Sequence, residues 1–429
     1  MSQVIRTELF PGVNLTAVHT SKFKSNYFGV SLVTGLNREH AAENALLPWV
    51  LRRGSCRYPD MQAISAQLDE LYGGAIEPSV TKKGEMQCLC FHGSFLDDAY
   101  APAEERLLEP ALTLLGDLLL HPHTENGVFC KEYVEGERAN LIDRIRAQKN
   151  DKRQYSMMRL GQEMCRYEAF GIDKYGDEAS AAAVTPDSLW TRYQTLLATA
   201  QVELFYCGSA GEERVQQAFK TAFAELPVNP EREQPECELR ITAPQEPNVV
   251  EEAMDVGQGK LAIGFRTDGI GLWDEEYPAL MLLNAVFGGT SMSKLFMNVR
   301  EKLSLCYFAS SILEKFKGLM LVSSGIEFAK FEQARDEILA QLDACRRGEI
   351  SDEEVEGARR ILCTALYTLT DSQGRLADYW LGQAAAGIIE TPEQLAKRLE
   401  QVTKEQIVAV AERMHLDTIY FLKGKGAEQ

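Results

Sequence analysis

The sequence predicts an α+β protein of two duplicated domains, each a mainly antiparallel sheet covered by helices. Three observations lead to this prediction. The length of 429 residues suits two domains better than one. A ten-residue segment recurs in similar form about half a chain apart. Strand patterns alternate with helix patterns and hairpin-like turns in both halves, which is typical of sheets with helices packed on them.

The recurring segment begins at Glu132 in the first half and at Glu353 in the second. Its two copies, EYVEGERANL and EEVEGARRIL, agree at six of ten positions with an offset of 221 residues. A second pair agrees at a similar offset, since Lys83-Gly84 and Lys317-Gly318 each precede an apolar run. Two matches in the same order indicate an internal duplication rather than a chance likeness of amphipathic helices.

The boundary between the halves follows from composition. The segment PVNPEREQP, which begins at Pro227, is polar and rich in proline, as linkers are. We therefore predict an N-terminal domain at residues 1–226, a linker at 227–240 and a C-terminal domain at 241–429.

Apolar periodicity and turn residues predict the elements of each half. In the first half, we expect strands at Tyr27–Val33, Met86–Phe91 and Val202–Tyr206, and helices at Pro59–Tyr72, Glu104–Leu120, from Thr185-Pro186 onward, and at Glu212–Leu226. In the second half, we expect strands at Lys260–Phe265 and Leu319–Val322, and helices at Tyr277–Phe287, Ser293–Lys302, Phe331–Arg347 and Ser351–Tyr367.

Composition narrows the functional classes. A net charge of −18 argues against a nucleic-acid partner, because that interaction depends on Lys and Arg. No apolar stretch approaches the roughly 20 residues of a membrane helix, and the N-terminus lacks the pattern of a signal peptide. The ten cysteines are scattered rather than arranged as a disulfide framework. We predict a cytoplasmic protein with no membrane partner.

The most specific segment is FGGTSMSKLFMNVREKLSLCY, from Phe287 to Tyr307. It closely resembles the second-domain signature of the insulinase-like (pitrilysin-type) metallopeptidases: a Gly-Gly turn, a helix ending in Arg-Glu-Lys, then Gly-Leu-x-Tyr. Ser304 stands where the family usually has glycine. The resemblance extends over essentially the whole chain. Within the family, the chain is especially similar to zinc-less bacterial members described as associated with elongation factor P modification.

The resemblance assigns substrate-side roles to Arg300 and Tyr307. In the family, this pair is understood to position the scissile peptide and to stabilise the tetrahedral intermediate. A guanidinium offers a rigid fork of donors to a carbonyl, and a phenol can donate to a developing oxyanion. Residues seven apart lie nearly on one face if a helix continues through both, so we expect the two side chains to converge.

The family's zinc site is missing from this sequence. The first-domain motif His-x-x-Glu-His precedes a Gly-Thr or Gly-Ser, and counting back from Gly54 places Ala45 and Trp49 at the histidines and Pro48 at the glutamate. The family's third ligand falls on Arg144. Because none of these four side chains can ligate zinc or activate water, we expect no metal and no cofactor in this chain.

Other groups of candidate metal ligands are His40 with Asn44, Cys88 with Cys90 and His92, and His121 with His123. Asparagine is a poor zinc ligand, and the first group lies too far before the Gly-Ser pair. The second group alternates along a strand and therefore faces one side, where cysteines are usual in a core. The third group falls on a predicted loop. A structural interpretation is favoured for each.

The chain keeps the pair that contacts substrate but lacks the metal site. In this family, the resemblance implies that such a chain is one subunit of a heterodimer. We expect the chain to join a zinc-bearing insulinase-like subunit and to place Arg300 and Tyr307 against a peptide held at the partner's zinc. The alternative is a catalytically inert scaffold or peptide-binding module of the same fold. A chain that is inactive alone is expected in either case.

Overall fold

The computed structural model describes residues 3–102, 105–240 and 242–425. The predicted helix start Glu104 lies outside these ranges, as do the predicted domain limits at residues 1, 241 and 429. Within the described ranges, no helix is long and apolar enough to cross a lipid bilayer.

The first half of the chain contains β1 (Gln3–Phe10), β2 (Val13–His19), β3 (Ser25–Gly35), α1 (Ala41–Leu51), α2 (Met61–Glu70), β4 (Ala75–Lys83), β5 (Met86–Leu96), α3 (Leu108–Leu120), β6 (Thr124–Glu125), β7 (Val128–Phe129), α4 (Lys131–Ala147), α5 (Lys152–Met164), α6 (Glu178–Ala183), α7 (Pro186–Thr199), β8 (Gln201–Gly208) and α8 (Glu212–Ala222).

The second half contains β9 (Asn248–Met254), β10 (Gly259–Arg266), α9 (Tyr277–Asn284), β11 (Cys306–Glu314), β12 (Leu319–Ile326), α10 (Phe331–Arg346), α11 (Asp352–Tyr367), α12 (Gln373–Ala385), α13 (Pro392–Gln401), α14 (Lys404–Glu412) and β13 (His415–Gly424). Two π-helical segments, Ala285–Gly289 and Leu295–Lys302, lie between α9 and β11.

The predicted strands are confirmed, and so are the predicted helices other than Ser293–Lys302, with ends that differ by a few residues. In that segment the structure has a π-helix at Leu295–Lys302. Helix α7 shows why the start of a helix can be predicted from a sequence. Thr185 accepts a hydrogen bond from the backbone N–H of Ser188 at 3.1 Å, and the Ser188 hydroxyl accepts one from the N–H of Thr185 at 3.2 Å. This reciprocal capping, followed by Pro186 in the first turn, fixes the start of the helix.

The two large sheets share one topology. The strand order is β1-β2-β8-β3-β5-β4 in the first and β9-β13-β10-β12-β11, read from its other edge, in the second. Apart from β1, the order corresponds strand for strand, and in each sheet a single pair is parallel, β2 with β8 and β9 with β13. The matched Lys-Gly pairs precede β5 and β12, with Gly84 at φ +60° and Gly318 at φ +62°. These correspondences support the duplication inferred from sequence.

The chain divides into two compact units that are not continuous in sequence. Unit 1 comprises residues 1–146, 172–236 and 372–387, and unit 2 comprises 147–171, 237–371 and 388–429. The division between 236 and 237 falls inside the predicted linker 227–240. Helix α5 belongs to unit 2 and α12 to unit 1, an exchange that was not predicted from the sequence.

In unit 1, helices α1, α3, α7 and α8 pack on one face of the sheet and enclose the main apolar core. The opposite face carries α12, where Gln373 donates to the carbonyl of Cys207 at 2.8 Å and Lys83 pairs with Asp378 at 2.7 Å. Both faces of this sheet therefore carry helices.

In unit 2, helix α5 packs on β10 and β13 and forms a core with the strands. Tyr155 and Tyr420 both donate to the carboxylate of Glu252 at 2.7 Å, which joins helix and sheet through polar as well as apolar contacts. Helices α9, α10, α11, α13 and α14 pack together beside β10 and β11.

Candidate functional site

The segment between α9 and β11 has unusual backbone geometry. It contains the two π-helical segments, separated by the residues Thr290–Lys294. Two helices, Tyr277–Phe287 and Ser293–Lys302, were expected here; the end of the first and most of the second are π-helical. Such wide turns are rare in proteins and occur often at functional sites.

Gly288 allows this segment to approach strand β11 closely. A Cβ atom at this position would lie 2.6 Å from the Ser311 hydroxyl oxygen and 2.8 Å from the Ser311 backbone nitrogen. Ser311 in turn donates to the side-chain oxygen of Asn284 at 2.7 Å. Glycine is therefore required here by contact with backbone, not by an unusual φ angle.

Two polar contacts fix the second π-helical segment against neighbouring helices. The largely buried Lys294 pairs with Glu354 of α11 at 2.9 Å. Asn298 donates to the Gln341 side-chain oxygen of α10 at 2.7 Å. The segment that carries Arg300 is thus held at two points on one side.

Arg300 lies near the end of this segment with 41% of its side chain exposed. Its guanidinium carbon is 4.6 Å from the centre of the Phe296 ring, and its Nε is 3.5 Å from a carboxylate oxygen of Glu301. The ring restricts the guanidinium without using its N–H donors, which leaves donors available for a ligand.

Tyr307 lies in strand β11 and is 64% exposed. The helical segment ends at Lys302, and Ser304 then adopts the left-handed conformation with φ +50°. The expectation that Arg300 and Tyr307 converge on one face of a continuous helix was therefore wrong. The left-handed residue, at the position where the family usually has glycine, ends the helix and turns the chain into the strand.

The positions expected to carry zinc ligands lie on α1 and α4 of unit 1. Ala45 is fully buried in the core, and Pro48 lies within helix α1. Trp49 is half-buried, and the guanidinium carbon of Arg144 is 4.2 Å from the centre of its ring. The structure thus brings together Trp49 and Arg144, two of the residues that counting along the sequence placed in one site.

This arrangement does not fit a zinc ion. Zinc requires imidazole, thiolate or carboxylate donors, and none of these is supplied by a methyl group, an indole and a guanidinium. The cation of Arg144 would also repel a metal ion. Over the residues that the structure describes, no group of three or more His, Cys, Asp or Glu side chains is placed to hold a metal.

The first of the other candidate groups has protein partners. Asn44 is buried, donates to Gln87 at 2.8 Å and accepts from Arg192 at 2.7 Å. His40 contacts the Glu43 carboxylate at 2.9 Å near the start of α1. These bonds engage the polar groups of His40 and Asn44 in ordinary helix and core contacts.

Cys88, Cys90 and His92 do alternate along β5. Ser31 donates to the Cys90 sulfur at 3.3 Å, and His92 stacks on Tyr27 with ring centres 5.5 Å apart. Burial lowers the pKa of His92 to about 4, so its imidazole is neutral at physiological pH. The three side chains belong to a packed strand face.

The third candidate group lies on a turn, as expected. His121 is the residue after α3, and its Nε2 is 3.7 Å from a carboxylate oxygen of Glu225. The ring centres of His123 and Tyr133 are 5.9 Å apart.

Two residues that shape these positions were not singled out from the sequence. Phe296 stands four residues before Arg300, a helical spacing that could have indicated the contact. Tyr175, whose ring centre is 5.7 Å from the Arg144 guanidinium carbon, lies on a loop far along the chain. No local pattern in the sequence indicates that second contact.

Fold and site together define a duplicated α+β protein of the metallopeptidase type in which the metal-ligand positions carry non-ligating side chains. Residues 183–362 match the family described as the peptidase M16 inactive domain. The probable inactive metalloprotease YmfF of Bacillus subtilis is 36% identical over 417 residues, which are 96% of each chain. The chain belongs to the M16, or insulinase-like, peptidase family as an inactive member.

Solved structures agree with this fold. A conserved protein from Enterococcus faecalis superposes with a TM-score of 0.89 and 30% identity, covering 99% of each chain. A peptidase M16 inactive domain from Pseudomonas fluorescens superposes with a TM-score of 0.81 and 17% identity, covering 100% of this chain and 99% of that one. The second likeness concerns the fold alone.

Proposed function

We propose that this chain is the non-catalytic subunit of a heterodimeric M16 metalloendopeptidase. Arg300 and Tyr307 position the peptide that a zinc-bearing partner subunit hydrolyses. The carrying observation is that both side chains are accessible. Arg300 is 41% exposed on a π-helical segment, and Tyr307 is 64% exposed near the start of β11.

The altered metal position supports a division of labour. Counting along the family's motifs puts Trp49 and Arg144 at metal-ligand positions, and the two side chains are in contact here, so the water-activating chemistry would come from another chain. A subunit that binds substrate without activating water contributes to hydrolysis only inside a complex.

The two side chains suit the developing charge of amide hydrolysis. The guanidinium of Arg300 can hold a peptide carbonyl through two parallel N–H donors, and the Tyr307 phenol can donate to the oxyanion. Donors held by the protein before reaction stabilise this charge more than water does.

The test is reconstitution with a zinc-bearing M16 protein from the same organism. The mixture is expected to form a complex that cleaves a quenched fluorescent peptide, while this chain alone does not. Tyr307→Phe in the complex should lower kcat by about a hundredfold, the usual loss when one oxyanion donor is removed. Arg300→Ala should lower kcat/KM by a comparable factor.

Matched controls lie in the same unit. Arg335 repeats the local contacts of Arg300, since it is 5.6 Å from the ring centre of Phe331, four residues earlier, and pairs with the next residue, Asp336, at 2.7 Å. Arg335→Ala should leave cleavage unchanged. Tyr367 is 46% exposed, and Tyr367→Phe controls for loss of a surface hydroxyl.

A complex that stays fully active with both Arg300→Ala and Tyr307→Phe would contradict the proposal and favour the inert scaffold. Failure to form any complex would contradict the heterodimer. The cytoplasmic location and the association with elongation factor P modification stay predictions from the sequence.

A further inference from the structure

The guanidinium of Arg144 has an aromatic support. Trp49 of α1 and Tyr175 place ring centres 4.2 Å and 5.7 Å from its guanidinium carbon. Contact with aromatic faces holds a guanidinium by cation–π attraction without consuming its N–H donors. The residue is half-exposed, so those donors are accessible to a ligand.

Acidic side chains near Arg144 on helix α4 are engaged with other cations. Glu137, two turns earlier, pairs with Arg53 at 3.2 Å. Asp143, the preceding residue, lies 3.8 Å from Arg146. In the part of the chain that the structure describes, no carboxylate lies within ion-pair distance of Arg144.

A second cation reinforces the local positive field. The Lys174 ammonium is 4.9 Å from the centre of the Tyr175 ring, which Arg144 also contacts, and it donates to the Val80 carbonyl at 2.9 Å. Two fixed cations therefore share one aromatic ring, on a chain whose net charge is −18.

We propose that Arg144, supported by Trp49 and Tyr175, binds a carboxylate of the substrate peptide at the position where catalytic members of the family hold zinc. A planar guanidinium fork matches a carboxylate through two parallel hydrogen bonds. The identity of the ligand as a peptide rests on the proposed function, whereas carboxylate binding itself belongs to this chain alone.

The carboxylate has two possible sources in a peptide, the C-terminus and an acidic side chain. Both present the same planar group, and the geometry at Arg144 accepts either. The experiment therefore compares three N-acetylated peptides of otherwise identical, uncharged sequence: a free acid, its C-terminal amide, and the amide with one internal glutamate.

Isothermal titration calorimetry with the isolated full chain measures the binding of each peptide. The free acid or the glutamate peptide should bind at least about tenfold more tightly than the uncharged amide, since a charge-assisted bond is lost in the latter. Arg144→Gln should reduce this preference to less than about twofold. Arg144→Lys, which keeps the charge but not the fork, should give an intermediate preference.

Arg146 provides the matched control, because it lies on the same helix and is 60% exposed. Arg146→Gln should keep the full carboxylate preference. Circular dichroism verifies that each variant is folded, and the comparison of acid with amide on the unmodified chain needs no variant at all.

Equal binding of charged and uncharged peptides, or no binding of any of them, would overturn the proposal. A preference that survives Arg144→Gln would do the same. Cleavage by the heterodimer is a separate measurement: activity that depends on Arg300 and Tyr307 without a carboxylate preference would leave the proposed function standing and remove only this inference.

Discussion

Arg266 and Glu168 form a fully buried ion pair, in which the guanidinium Nη2 donates to the carboxylate Oε1 at 2.7 Å. Lys317 contributes a second buried cation to the same carboxylate at 2.7 Å, and Asp417 accepts from Arg266 Nε at 2.7 Å. Glu168 lies in the 147–171 segment and Arg266 in β10, so this pair fastens the exchanged segment to the sheet of unit 2.

Removing the Glu168 charge should strongly destabilise unit 2. Glu168→Gln removes the carboxylate that Lys317 contacts and leaves Arg266 paired with Asp417, so the free energy of unfolding should fall by roughly 3 kcal/mol. Urea unfolding followed by tryptophan fluorescence measures the change. Glu349→Gln is the control, because that carboxylate is 58% exposed in its pair with Arg347; an equal loss in the control would refute the role of burial.

Acid should weaken the same cluster. Burial opposes ionisation of Glu168, but hydrogen bonds from Arg266 and Lys317 outweigh it, and the pKa of Glu168 lies below its ordinary value of 4.5. The unfolded chain then binds the proton more readily than the folded one. This contribution to stability is complete above the ordinary pKa and is lost as pH falls through the folded pKa.

The measurement is the urea midpoint between about pH 7 and about pH 3. The unmodified chain should lose stability as pH falls, and Glu168→Gln should show a shallower decline. Other carboxylates, such as Glu252 with its similarly lowered pKa, account for the remaining slope. Identical slopes for the two proteins would contradict the assignment to Glu168.

Ser304 should gain from replacement by glycine. Its φ of +50° costs a side-chain-bearing residue about 1 kcal/mol, while glycine loses somewhat less through the entropy of the unfolded chain. Ser304→Gly should therefore raise the unfolding free energy, measured by urea titration, by a few tenths of a kcal/mol, and Ser304→Val should lower it by roughly 1 kcal/mol.

Ser291, also exposed and in the same motif, has no positive φ. Ser291→Gly should consequently have the opposite sign and destabilise slightly. Stabilisation by glycine at both positions would mean that the left-handed backbone of Ser304 is not the cause.

Gly288 should not tolerate alanine. The added methyl would collide with the Ser311 backbone nitrogen 2.8 Å away, and overpacking of this kind costs roughly 1–3 kcal/mol. In contrast, Gly357 lies inside α11, where an added methyl would have no atom within 4 Å, so Gly357→Ala should stabilise by about 1 kcal/mol. Thermal unfolding of both variants tests the pair, and destabilisation in both would count against the contact.

Most of the secondary structure could be predicted because its signals are local. Thr185 with Pro186 marks the start of a helix, and the apolar runs after Lys83-Gly84 and Lys317-Gly318 mark paired strands. The duplication could be predicted for the same reason, because similar sequence patterns form similar secondary-structure elements. The π-helical turns were not predicted, and the close contact of Gly288 with Ser311 in β11 joins residues that are distant in sequence.

The candidate site, too, was only partly predictable from the sequence. Counting along short motifs placed Trp49 and Arg144 at the positions of metal ligands. Their identity alone then excluded zinc coordination, because neither side chain is a zinc ligand. The sequence also singled out Arg300 and Tyr307, but their convergence was expected from a continuous helix, and the helix ends at Lys302.

By itself, the sequence determined the element types, the internal repeat and the absence of zinc-ligating side chains at the expected positions. All three follow from residue identity and short-range spacing. Only the tertiary structure decided that α5, from the first half of the chain, belongs to unit 2 and that α12, from the second half, belongs to unit 1. It also decided that Arg144 contacts the rings of Trp49 and Tyr175, and that Tyr307 lies on a strand. These features arise from contacts between residues distant in sequence, for which no local pattern carries a signal.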